Sequence, residues 1–67
     1  MKIRQPTDFE TRVLRGIKRG AMIAGAKIVH VTAAARRLET LGYAVKSYDW
    51  YVTLKGDEYL LELDRGV

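Results

Sequence analysis

The chain has no cysteine and no asparagine, and only one proline, one serine, one glutamine and one histidine in 67 residues. Without cysteine, disulfides are impossible and no thiol can act as a nucleophile. With His30 as the lone imidazole, a structural zinc site lacks its usual ligands, and no metal or cofactor is expected. Ser47 and His30 assemble no persuasive nucleophile–base–orienter set, so an enzyme is the weakest class of function. Long apolar runs are missing as well. No stretch approaches the roughly 18 residues of a membrane span, and Met1 to Glu10 lacks the apolar run of a signal peptide. The expectation is a soluble, cytoplasmic protein with no membrane partner and no small-molecule ligand.

The length, residues 1–67, allows a single domain. A chain this short buries only about 60% of the surface its unfolded form exposes, so its stability is marginal. With disulfides and metal set aside, dimerisation is the remaining stabilising device, and a homodimer is expected.

Charge is distributed unevenly. Residues 1–46 hold ten Lys and Arg against three acids, a balance of +7, and residues 47–67 hold two against five, a balance of −3. A basic body with an acidic end suits a polyanion on one face only. Ordinary solvated charge is the plainer alternative.

Thr7-Asp8-Phe9-Glu10 fits a capping box, in which the threonine side chain and Glu10 satisfy each other's backbone amides. It predicts a first helix from Asp8 to Arg19, stopped by Gly20. Phe9, Val13, Leu14 and Ile17 gather on one side of it. Arg12, Arg15, Lys18 and Arg19 gather on the other, facing phosphate, an acidic partner or water. Ala21 to Val29 reads as a short second helix, buried through Met22, Ile23, Ala26 and Ile28 or Val29, or as an irregular packed segment. His30 reads as a turn residue. Thr32 is the expected N-cap of a third helix over Ala33 to Leu41, ended by Gly42 with Tyr43 packing back on Leu38. Val31, Ala34, Ala35, Leu38 and Leu41 would point inward, and Thr32, Ala33, Arg36, Arg37 and Thr40 outward. From Tyr43 to Leu54, β-branched and aromatic residues predict a hairpin turning at Ser47-Tyr48-Asp49, with Trp50, Val52 and Leu54 on one face. Asp57 to Leu63 reads either as a helix, inward through Tyr59, Leu60 and Leu63, or as a third strand. If it is a helix, Leu61 falls off that face and is left to meet a symmetry mate.

Ala35-Arg36-Arg37-Leu38-Glu39 with Leu41-Gly42-Tyr43, followed by Val52-Thr53-Leu54-Lys55-Gly56 and Tyr59-Leu60, resembles the winged helix-turn-helix repressors of bacteria, archaea or phage. In that family a recognition helix ends in an R-L-E-x-x-G phrase, and a hairpin wing leads through L-T-x-x-G-x-x-Y-L into the last helix. The likeness covers about half the chain. It implies an α+β fold: a small winged helix-turn-helix of three helices and a two-stranded antiparallel hairpin, with a third strand or a short C-terminal helix at the end. It also implies a transcriptional regulator of double-stranded DNA, with helix 32–41 in the major groove and hairpin 43–54 as the wing.

The residues suit that chemistry. Arg36 can pair with a guanine edge, Thr32 or Thr40 can bond a base or phosphate, and Ala33 can pack on a thymine methyl. Arg15, Arg19, Lys27, Arg37 and Lys46 are the phosphate candidates, setting affinity and register rather than sequence choice. Arg37 has the alternative of pairing with a nearby acid. Tyr48 and Trp50 belong to the wing, as hairpin packing in preference to base stacking. With no asparagine, and Gln5 outside the helix, the usual bidentate adenine readers are missing. A modest code centred on guanine is expected, completed by DNA shape. The alternative is a protein-interaction module or small inhibitor that uses the same scaffold to bind an acidic protein surface.

Overall fold

The computed structural model describes residues 5–21 and 25–66. Their elements run α1 (Asp8–Arg19), α2 (Ile28–Leu41), β1 (Ala44–Lys46), β2 (Trp50–Val52) and α3 (Leu54–Arg65). This is an α+β domain of three helices and one two-stranded antiparallel hairpin, in register Ala44 with Val52, Val45 with Tyr51 and Lys46 with Trp50.

The first helix has the expected bounds. Thr7 Oγ1 accepts the Glu10 amide at 3.1 Å and Glu10 Oε1 accepts the Thr7 amide at 3.0 Å, completing the capping box. Gly20 ends the helix in the left-handed region, at φ 75°. Val13 and Leu14 are buried, with Phe9 and Ile17 packed beside them.

The second helix starts earlier than its sequence signals. Thr32 is not its N-cap but lies inside it, as does His30. Lys27 holds the cap position without a side-chain cap. The burial pattern explains the shift. Val31 packs on the core along with Ala34, Ala35 and Leu38, and it can join that stripe only if it is already helical. The β-branched run Ile28 to Val31 disguises this turn because such residues favour helix weakly. The short helix expected over Ala21 to Val29 changes accordingly. Ala21 and residues 25–27 are turn and coil, while Ile28 and Val29 open α2 and are 64% and 63% exposed instead of buried. Met22 and Ile23 lie outside the described residues.

Gly42 closes α2 at φ 89°, with its amide bonded to Glu39 O and the Tyr43 amide bonded to Leu38 O at 2.9 Å, the expected Schellman arrangement. The strands that follow are shorter than the expected 43–54 hairpin. Ser47 N donates to Asp49 O at 2.9 Å across the turn. Ala44, Trp50 and Val52 face the core, but Leu54 begins α3 and is exposed. The last segment is thus a helix, beginning three residues before Asp57. Thr53 is the reason: its Oγ1 accepts the Gly56 amide at 3.1 Å, so helix geometry starts at Leu54. Leu60 is buried and Tyr59 half-buried, whereas Leu63, expected inward, is 40% exposed near the end of the chain. Leu61 is exposed as expected.

Three contacts join the end of α2 to the start of α3. Thr53 Oγ1 donates to Gly42 O at 2.7 Å, Thr53 N donates to Tyr43 O at 3.1 Å, and Lys55 Nζ reaches Leu41 O at 3.0 Å. Gly56 sits against the same backbone. A β-carbon there would lie 2.9 Å from Val52 Cγ1 and closer still to the Tyr43 carbonyl oxygen. Gly56→Ala should therefore cost at least about 2 kcal/mol and lower the melting temperature by roughly 10 °C. Thr53→Val removes a cap and a donor, and should cost about 1–2 kcal/mol in urea unfolding with an unchanged m-value. A Gly56→Ala protein that melts like the parent would mean the two backbones are not in contact.

Candidate nucleic-acid interface

Helix α2 packs its small residues inward and projects its reactive ones. Ala34, Ala35 and Leu38 are buried, with Val31 and Leu41 half-buried beside them. At 100° per residue the opposite arc holds Val29, Thr32, Ala33, Arg36 and Thr40, all exposed. Val29, Ala33, Arg36 and Thr40 form one line along it, spaced 4, 3 and 4 residues apart. The four base-edge candidates thus share one solvent-facing surface. Arg36 takes part in no ion pair among the described residues. Thr40 is partly committed, since its hydroxyl donates to Arg36 O at 3.1 Å, leaving it an acceptor toward any ligand. Glu39 is exposed on the edge of the same arc and is the one acid there.

The phosphate candidates divide. Arg37 Nε lies 3.3 Å from Glu10 Oε2, the carboxylate that also completes the cap of α1. The Nε–H is buried and makes no hydrogen bond, so the contact is an ion pair tying α2 to α1. Arg15 pairs with Asp64 at 3.0 Å, and Lys18 pairs with Asp57. Two of the four cations on the basic side of α1 are thus faced by acids of α3. Sequence distance concealed these partners, which lie 39 and 49 positions away in the chain. Arg15 and Arg37 are accordingly engaged in ion pairs, with Asp64 and Glu10.

Arg19 and Lys27 remain exposed, and neither joins an ion pair among the described residues. Arg19 lines a groove with Ile28, Thr32 and Tyr51, between the end of α1, the start of α2 and the hairpin. Lys27 stands at the N-cap of α2, whose first turn carries no acid, so the positive end of the helix dipole is unopposed. Asp49, at the hairpin end, also lines that groove and limits its positive charge. Lys46 sits over the Trp50 ring, 5.6 Å from its centroid, which holds its charge on the wing. Trp50 packs against the core as expected. Tyr48 does not pack: at the tip of a turn with three-residue strands on either side, it is 98% exposed.

No family model matches the chain, and no curated protein or solved structure is significantly similar to it. Among the described residues there is no cluster of His, Cys, Asp or Glu that could hold a metal ion, and no helix is long and apolar enough to cross a membrane.

The divided roles of adjacent arginines can be measured. Arg37→Ala should destabilise the domain by about 1–3 kcal/mol, because it leaves Glu10 without its partner across the α1–α2 junction. Arg36→Ala should change stability by no more than about 0.5 kcal/mol. Equal effects of the two in thermal unfolding would contradict the pairing.

Proposed function

We propose that the protein is a double-stranded DNA-binding regulator of winged-helix type, reading the major groove with the outward arc of α2. The observation that carries this reading is the exposed Arg36, in no ion pair among the described residues, in a line of small side chains on the side of α2 turned from the core. Such a surface allows close approach of the helix to base edges and presents one fork of donors to guanine O6 and N7. Arg19 and Lys27 beside the first turn of α2, with Lys46 on the wing, supply phosphate contacts on either flank. The wing is short, so its contribution is backbone contact at Lys46, with Tyr48 at its tip available to lie along the sugar edge. No residue acts as a catalyst, and no cofactor or small ligand is required. A homodimer is part of the proposal. Leu54 and Leu61, seven residues apart on the outer side of α3, are the apolar pair that would meet a second copy.

A binding module for an acidic protein surface is the second reading, favoured by the same exposed cations. Salt titration on duplex DNA separates the two. Three phosphate contacts, at Arg19, Lys27 and Lys46, predict a log–log slope of about −3. Arg19→Ala or Lys27→Ala should weaken all duplexes alike and reduce that slope by about one. Arg36→Ala should flatten preference among sequences, with about 1–3 kcal/mol of discrimination lost at one guanine. Failure of the parent protein to bind any duplex at low salt would end the DNA reading in favour of the protein module.

A further inference from the structure

We infer that the duplex facing α2 is chosen through thymine methyl groups as well as guanine: Val29, with Ala33 beside it, packs on the 5-methyl of thymine about three base pairs from the guanine met by Arg36. This rests on the proposed role of α2 as the groove-facing helix and names what that helix selects.

The extra turn at the start of α2 is what brings Val29 into the arc. It stands opposite the buried Ala34, Ala35 and Leu38 stripe, one turn before Ala33 and two before Arg36. Val29 is 63% exposed, and Ile28 beside it is 64% exposed on the flank shared with Thr32 and Tyr51. A β-branched hydrocarbon is a poor choice for a solvated first turn, on grounds of both helix propensity and hydration. Lys27 stands at the cap two residues before it and Arg36 two turns further along the same arc, while Arg19 lines the groove that its neighbour Ile28 shares. An apolar residue set between Lys27 and Arg36 along the helix complements a surface whose edges are phosphates and whose floor carries an apolar group. In the major groove of B-form DNA only thymine presents such a group. Val29 and Arg36 are seven residues apart, about 10 Å along the helix, which corresponds to about three base steps of roughly 3.4 Å.

The test uses a duplex recovered by selection from a random library, prepared once with thymidine and once with deoxyuridine at every thymine position. Sequence and pairing stay the same, and only the methyl groups are lost. The parent protein should bind the uracil duplex about fourfold more weakly for each methyl contact removed. Val29→Ala should abolish most of that difference, whereas Arg36→Ala should keep it while losing preference for guanine. Val29 is exposed, so its replacement leaves folding intact, which a melting curve checks. Equal affinity of the parent for the two duplexes, or a selected site without thymine, overturns methyl reading and leaves DNA binding standing. Absence of binding to every duplex at low salt overturns both.

Discussion

The domain depends on the close passage of two pieces of backbone: the carbonyl of Tyr43, just after α2, and Gly56, in the first turn of α3. Thr53 fastens the crossing from both sides. It donates its hydroxyl to Gly42 O, accepts the Gly56 amide, and gives its own amide to Tyr43 O. Lys55 adds a cation at the negative end of α2, bonded to Leu41 O and lying over the Tyr43 ring. The Tyr43 ring then stacks on Tyr59, 5.0 Å between centroids, and the Tyr59 hydroxyl meets Thr11 of α1 at 3.1 Å. One crossing therefore sets the direction of α3, the closure of the hairpin and the seat of α1. This matters for a core whose buried apolar members among the described residues include three alanines, Ala34, Ala35 and Ala44, and few large side chains. So little apolar volume leaves the hydrogen-bonded junction a large share of the fold's specificity.

That junction also gives the family-like phrases a physical meaning. Arg37 ties α2 to the cap of α1, Leu38 is fully buried, and Gly42 supplies the left-handed stop. Thr53 caps α3, Gly56 admits the Tyr43 carbonyl, and Tyr59 and Leu60 close the packing. Most residues of the resemblance have a task in the scaffold, whereas Arg36, Glu39 and Leu54 carry exposed side chains. The phrases therefore describe chiefly how a helix, a hairpin and a helix are joined, and the case for a polyanion partner rests on exposed residues of the outward arc, Arg36 within the first phrase and Val29 outside it.

Electrostatics follows the same division. The sequence shows a basic first half and an acidic last segment, which suggests two opposed faces. The fold instead lays α3 against α1, so that Asp57 and Asp64 meet Lys18 and Arg15, two of the four cations of the basic stripe. These pairs are half-exposed, and each is worth little to stability. Their consequence is spatial: among the described residues, exposed cations in no ion pair remain at Arg12 and Arg19 of α1 and at Lys27 and Arg36 of α2.

From the sequence alone, local chemistry was readable wherever one residue type permits one backbone state. The Thr7–Glu10 box started α1, glycine at positions 20 and 42 stopped two helices, and the Ser47–Asp49 turn placed the hairpin. The outward arc of Thr32, Ala33, Arg36 and Thr40 was readable too, because helical periodicity is a local property. The start of α2 was hidden because β-branched residues carry a weak helical signal that packing of Val31 overrides. The partners of Arg15 and Arg37, and the exposure of Val29, were decided only by the tertiary structure. Charge pairing and burial depend on which distant segments come together, and that is a property of the assembled core rather than of any window of the chain.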